Sequence, residues 1–234
     1  MDQRIRIVFE DDVLIVCHKY PGIAVQTAAL GQADMVSELK KYLAGQGEKN
    51  PYLAVVHRLD QPVEGLLVFA KTEAAAASLS KQVQKADSSG LTLEEKVPEG
   101  RMRCFYKEYT AHVYGKMPQK QGELTDFLVK DARSNTSRVV SEKDKNGKRS
   151  VLSYEVSEET EKTQTLRILL KTGRHHQIRV QLSHAGCPIL GDTKYGTEEA
   201  KRYAVEQGIK QLCLCASRLE FTHPVTGKQL QFTV

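Results

Sequence analysis

The sequence predicts an α+β fold built on a largely antiparallel sheet. Three observations lead there. Strand patterns outnumber helix patterns along the 234 residues. The helices are interspersed irregularly, so the chain does not read as a repeating βαβ unit. Turn signals such as Pro21-Gly22 and Asn146-Gly147 fall beside alternating or apolar runs. No internal repeat, low-complexity tract or linker divides the chain, which is expected to form a single domain over 1–234.

The elements follow in order. Arg4 to Phe9 alternates polar and apolar residues, and Val13 to Cys17 is an apolar run; both read as strands around a Glu10-Asp11-Asp12 turn. Met35, Leu39, Tyr42 and Leu43 recur with helical spacing behind Asp34, a good N-cap, and Gly45-Gln46-Gly47 closes that helix. Leu66 to Ala70 is continuous and apolar, as in a strand buried on both faces. Thr72 then opens a helix through Glu73-Ala74-Ala75-Ala76-Ala77 to about Ala86. Residues 87–100 read as an exposed loop, long for a compact domain.

Tyr106 to Tyr114 and Gly122 to Val129 are further strands. Residues 130–149 carry seven basic residues against three acidic ones around Asn146-Gly147, a hairpin turn signal. Val151 to Val156 and Thr165 to Leu170 alternate as strands. A helix is predicted over His175 to Ala185, stopped by Gly186, and a shorter one over Thr197 to Glu206. Leu212 to Phe221 and Gln229 to Val234 close the chain as strands.

Composition narrows the class. A 40% hydrophobic and 27% charged chain is an ordinary soluble globular protein. The net charge of +5 reads either as a basic surface or as attraction to a polyanion, and the second needs the charge gathered at a site. The five cysteines (Cys17, Cys104, Cys187, Cys213 and Cys215) match no zinc or thioredoxin spacing and read as reduced core thiols, which suggests the cytoplasm. The N-terminus has no apolar signal region, and no apolar run nears the roughly 18–20 residues that span a bilayer. There is no glycine-rich phosphate loop, dinucleotide fingerprint, H-E-x-x-H or G-x-S-x-G, so the familiar cofactor-dependent and triad enzymes are not expected.

Three segments place polar residues beside rigid apolar ones. His57-Arg58-Leu59-Asp60 precedes the apolar run, and a carboxylate there can act as nucleophile or general base. To stay ionised in a partly dry pocket it needs a cation; taken alone, an Arg-x-Asp is more often a surface ion pair. Tyr109 shares a strand face with Lys107 and Ala111 and can stack on a base or simply half-fill a core. In Thr172-Gly173-Arg174-His175-His176-Gln177-Ile178-Arg179, a helical conformation puts His175 and Arg179 on one face, one turn apart. Such a helix start suits a phosphate or carboxylate. Adjacent histidines diverge by about 100° on a helix and chelate one ion poorly, so no metal is expected.

Together these segments resemble the RluA-type pseudouridine synthases. HRLDQPVEGLLVFAKT is similar to the family's H-R-L-D-x-x-(T/S)-x-G-L-L-(L/V)-F-A-K-T, KEYTAHVYG to its K-x-Y-x-A-x-V-x-G strand, and TGRHHQIRVQLSHAGCPILGDTKYG to its T-G-R-x-H-Q-I-R segment with the following G-D-x-x-Y-G. HKYPGIAV and LEFTHPVTG resemble the family's opening turn and closing strand, so the likeness runs from about Val13 to Val234.

The resemblance implies the pseudouridine synthase fold, a mainly antiparallel mixed sheet with flanking helices and a central active-site cleft. It implies an isomerase converting uridine to pseudouridine in structured ribosomal or transfer RNA by base flipping, without cofactor or metal. Asp60 would be the nucleophile, Tyr109 would stack on the uracil, and Arg179 would pair with Asp60. Arg58 would fill the place of the flipped base, and Ile178 would pack under it. His57, Arg174, His176 and Gln177 complete the expected substrate-binding set. The likeness starts almost at once, so no separate N-terminal RNA-binding domain is expected, and the chain is expected to act as a monomer. One departure stands out: Gln61-Pro62-Val63-Glu64 replaces the usual stretch, and Glu64 adds a negative charge near Asp60 that would raise its pKa or repel phosphate.

Overall fold

The structure, a computed structural model, describes residues 1–27, 31–86, 93 and 105–234. The loop expected over 87–100 lies outside the described residues except for residue 93, and so does Cys104. The chain forms two compact units, one from 1–86, 97–107 and 216–234, the other from 87–96 and 108–215.

In the first unit, strands β1 (Ile5–Glu10), β2 (Leu14–Lys19), β4 (Glu64–Ala70) and β10 (Leu214–Thr222) are neighbours in that order. β3 (Ala54–Val55) pairs with β4, and β11 (Gln229–Thr233) pairs with β10. β4 is the apolar run of the sequence, and Gly65 to Ala70 are all buried. Its place between two other strands satisfies both of its edges, and Leu66, Val68 and Ala70 pack with Ala75 and Leu79 on one of its faces.

Helix α1 (Met35–Gly45) buries Met35, Leu39 and Leu43 and opens with a capping box in which Asp34 and Ser37 satisfy each other's backbone amides. Helix α2 (Glu73–Ala86) starts where Thr72 Oγ1 accepts from Ala75 N and buries Ala75 and Leu79. Those two side chains join Leu14, Val16, Leu66, Val68, Phe105, Leu219 and Phe221 in one core.

The second unit is an antiparallel sheet in the order β5 (Phe105–Tyr114), β9 (Thr163–Leu170), β8 (Lys148–Glu159), β6 (Gln121–Asp131) and β7 (Thr136–Val140). Helices α3 (Gln177–His184) and α4 (Glu198–Glu206) belong to the same unit. Thr197 caps α4 by accepting from Ala200 N. Among the described residues no helix is long and apolar enough to cross a membrane.

Two expectations are corrected here. The basic stretch 130–149 contains a strand, β7, and the hairpin turn lies between β6 and β7, not at Asn146-Gly147. Asp131 closes that turn by accepting from Arg133 N and Ser134 Oγ, and Asn135 takes the left-handed conformation at φ 48°. Asn146-Gly147 instead turns the chain from β7 toward β8, and these two strands flank β6 on opposite sides. The second correction concerns α3, which starts at Gln177 because His176 is left-handed at φ 54°. His175 therefore lies outside the helix and does not share a helical face with Arg179.

Gly65 is required by close approach. It has φ 129°, and a Cβ there would lie 2.4 Å from the backbone nitrogen of Ala216 on β10. Gly65→Ala must separate the two strands or distort the start of β4. It is expected to destabilise the protein by at least 2–3 kcal/mol, on the order seen for backbone strain with overpacking, read as a lowered midpoint in thermal unfolding.

Candidate active site

The H-R-L-D segment of the first unit is held down by its apolar residues. Leu59 and Val63 are buried, while Arg58 is exposed and Asp60 half-buried. Val63 N donates to Asp60 O at 3.0 Å, closing a turn around Gln61-Pro62. A second turn braces the first: Gly22 N donates to Gln61 O, and Gln61 Nε2 donates to Gly22 O.

Beneath both lies Lys19, with 0% of its surface exposed. Its ammonium donates to Gln61 O at 2.8 Å and Val63 O at 2.7 Å, with a longer bond to Tyr20 O. Burial lowers the Lys19 pKa to about 8, against the opposing pull of the Asp60 carboxylate. At neutral pH a positive charge thus stays under the turn that carries Asp60.

Glu64, the residue that departs from the resemblance, has a partner. Its Oε1 lies 2.9 Å from His18 Nε2, and the His18 ring stacks on Tyr20. His57 turns inward. Its Nε2 accepts from Val68 N, its ring meets Phe105 edge-on at 5.3 Å, and its Nδ1 has no hydrogen-bond partner among the described residues. Burial, helped by Lys107, holds the His57 pKa well below the ordinary imidazole value, so this ring is a neutral brace behind β4.

The second unit carries the other candidates. Arg179 is 4% exposed, and its guanidinium grips Asp192 with two bonds of 2.8 Å, from Nε and from Nη2. This is the planar fork suited to a carboxylate. The face of the guanidinium lies over the Tyr195 ring at 5.0 Å. Asp192 also accepts from the backbone nitrogens of Lys194 and Tyr195, so one carboxylate fixes both the arginine and the loop under it.

His176 Nδ1 is 2.7 Å from Tyr195 Oη. Burial and the Arg179 charge push the His176 pKa down to about 3, so the ring is neutral. Gln177 is a clip: its Oε1 accepts from Thr172 Oγ1 and Arg174 N, and its Nε2 donates to Val151 O and Gln181 Oε1. Arg174 is exposed, Ile178 is 4% exposed, and Tyr109, opposite Ile168 of β9, is 5% exposed. Of the expected site residues, Asp60, Arg58 and His57 belong to the first unit; Tyr109, Arg174, His176, Gln177, Ile178 and Arg179 belong to the second.

The family model for RNA pseudouridylate synthase matches residues 13–184, which contain the candidate residues of both units up to the end of α3. The chain belongs to the RNA pseudouridylate synthase family. It is therefore an RNA pseudouridine synthase, an isomerase. It is 34% identical to "Ribosomal large subunit pseudouridine synthase D" of Vibrio cholerae, over 99% of this chain and 67% of that protein. It is 35% identical to "Dual-specificity RNA pseudouridine synthase RluA" of Vibrio parahaemolyticus, over 93% of this chain and 78% of that protein. The solved structure of human RNA Pseudouridylate Synthase Domain Containing 1 shares the fold of this synthase, with a TM-score of 0.73 at 19% identity, covering 98% of this chain and 82% of that one.

Sequence reasoning missed Lys19, Asp192 and Tyr195 as parts of the site. Lys19 had a visible signal, a charged residue closing an otherwise apolar strand just before Pro21-Gly22. Asp192 and Tyr195 lay within a quoted motif but had no local feature to assign them a partner.

The Lys19 geometry makes a prediction. Lys19→Met keeps the stem but removes the buried donor; Gln61 O retains Gly22 N, so the loss falls mainly on Val63 O, at a cost of about 1–3 kcal/mol. The folded pKa of about 8 lies below the ordinary 10.5, so between those pH values the unfolded chain holds the extra proton. Wild-type stability from this group is accordingly lowest below pH 8 and recovers as pH rises through that window. Denaturant titrations should show wild type gaining stability relative to Lys19→Met between those two pH values.

Proposed function

We propose that this RNA pseudouridine synthase isomerises uridine in large-subunit ribosomal RNA, with Asp60 as the catalytic carboxylate. The observation that carries the reading is the Asp60 turn. A half-buried carboxylate in the H-R-L-D segment sits on a turn whose carbonyls a buried ammonium holds. The ribosomal substrate is supported by relatives named for the ribosomal large subunit.

In this reading the target uridine leaves its stack and enters the site. Arg58, exposed beside Asp60, fills the gap left in the RNA. Tyr109 stacks on the uracil, and Ile178 packs under it. Arg179, whose fork already holds Asp192, pairs with Asp60 to keep it ionised. Arg174 meets the phosphate backbone. His57, His176 and Gln177 serve the substrate indirectly, by holding β4 and the start of α3 in place. The N1–C1′ bond breaks, the base rotates and the C5–C1′ bond forms; the C5 proton leaves and N1 gains one. The net change needs no oxidant, reductant or cofactor.

Asp60→Asn removes the charge at constant size. It is expected to lower conversion of uridine in ribosomal RNA about a thousandfold or more with unchanged thermal unfolding. Full activity in this variant would end the proposal. Mapping pseudouridines in ribosomal and transfer RNA with and without the gene tests the substrate: loss confined to transfer RNA would rule out the ribosomal assignment.

The basic stretch is expected to contact phosphates. Lys145, Lys148 and Arg149 are all exposed around the β7–β8 connection. Reversing these three charges should weaken RNA binding and flatten the slope of log affinity against log salt by about 0.7–0.9 per lost phosphate contact. Unchanged affinity would make the stretch an ordinary solvated surface.

A further inference from the structure

The β6–β7 hairpin and the arginine of α3 are joined by side chains that no reading above uses for chemistry. Asn135, left-handed at the end of the hairpin turn, is held from two directions. His175 Nε2 lies 3.1 Å from its side-chain oxygen, and Lys194 Nζ donates to its carbonyl at 2.8 Å. Two residues on, Ser137 is held twice as well. Its Oγ is 2.9 Å from His175 Nδ1, and its backbone N–H donates to Tyr195 Oη at 2.8 Å.

These contacts converge on Arg179. His175 stacks on His176 with ring centroids 3.8 Å apart. Since the Ser137 amide can only donate, Tyr195 Oη accepts there and its own proton is available to His176 Nδ1. The Tyr195 ring lies under the Arg179 guanidinium, and the Asp192 carboxylate that grips Arg179 also holds the backbone nitrogens of Lys194 and Tyr195. The left-handed His176 is part of the same assembly. A non-glycine residue in that region costs energy and persists where its surroundings over-determine it; here the stack and the Tyr195 bond do so.

We infer that His175 and Tyr195 are positioning residues that tie the β6–β7 hairpin to the seat of Arg179, so that an RNA held by the basic stretch 130–149, to which the hairpin belongs, and the arginine at the reacting site are set in one register. This rests on the proposed function, in which Arg179 serves Asp60. His175 occupies the unspecified position of the T-G-R-x-H-Q-I-R pattern, so the tie is a property of this chain's own residue there.

The experiment measures single-turnover conversion at saturating RNA, and RNA affinity separately, for wild type, Tyr195→Phe, His175→Ala and His175→Gln. Tyr195→Phe keeps the ring under Arg179 and removes only the hydroxyl. His175→Ala removes both hairpin bonds, and His175→Gln keeps an amide able to make one of them. The expected result is a rate reduced about tenfold in Tyr195→Phe and His175→Ala, affinity within about twofold of wild type, and partial rescue in His175→Gln, since misplacing a positioned group costs rate rather than binding. An unchanged rate, or a loss of affinity with an unchanged rate, overturns the inference. If Tyr195→Phe does not fold, the two His175 variants decide by the same criteria, because His175 is only half-buried. Wild type and Asp60→Asn run beside them. If Asp60→Asn is fully active, the proposed function has failed; if it is inactive and the His175 and Tyr195 variants match wild type, only the tie has failed.

Discussion

The Asp60 turn depends on a buried ammonium. Lys19 ends the innermost part of a wholly buried strand, and its two short bonds go to carbonyls on either side of Pro62. A lysine with no exposed surface is costly, and its lowered pKa is the mark of that cost. The cost is offset because the turn has carbonyls that no strand ladder satisfies. The outcome is a turn with little freedom, which keeps Asp60 at the surface of a rigid strand. Gly65 adds the second constraint, since β4 can start directly after the turn only if no side chain keeps it from Ala216.

The second unit solves a similar problem with an ion pair. Arg179 and Asp192 are both almost wholly buried, and a pair of this kind is tolerable when every remaining donor and acceptor is placed. Asp192 meets that condition by accepting two backbone amides as well as the guanidinium. The surrounding polar groups form further clips: Gln177 ties the approach to α3 onto β8, and Gln181 reaches Leu124 O, Asp126 and Ser150 O. The start of α3 is thereby fixed by side chains and not by a conventional cap, since His176 makes no capping bond.

Much of the fold was legible because it rests on local periodicity. The stripe at Met35, Leu39 and Leu43, the Thr72 start of α2 and the continuous run of β4 each state their environment in a few neighbouring residues. The failures came where distant partners decide. The true hairpin turn at 132–135 has no Asn-Gly signal; Asp131 and the conformation of Asn135 make it. The helical reading of His175 failed because Tyr195, twenty residues away, favours a left-handed His176. Glu64 read as a bare charge beside Asp60, and only the pairing of β2 with β4 brings His18 to it.

By itself the sequence determined the family and the candidate residues, because the H-R-L-D, K-E-Y and R-H-H-Q-I-R segments keep residue types and order that short-range chemistry demands. It also determined the elements whose apolar spacing matches one period. The tertiary structure alone decided which polar groups are structural. Lys19, Asp192, His57 and Gln177 look in sequence like any other hydrophilic residues, yet each is buried. The physical reason is that a buried polar group is defined by its partners, and those partners come from strands and loops far along the chain. The turn around Asp60 is one such case, a local motif whose stability comes from a lysine about forty residues earlier.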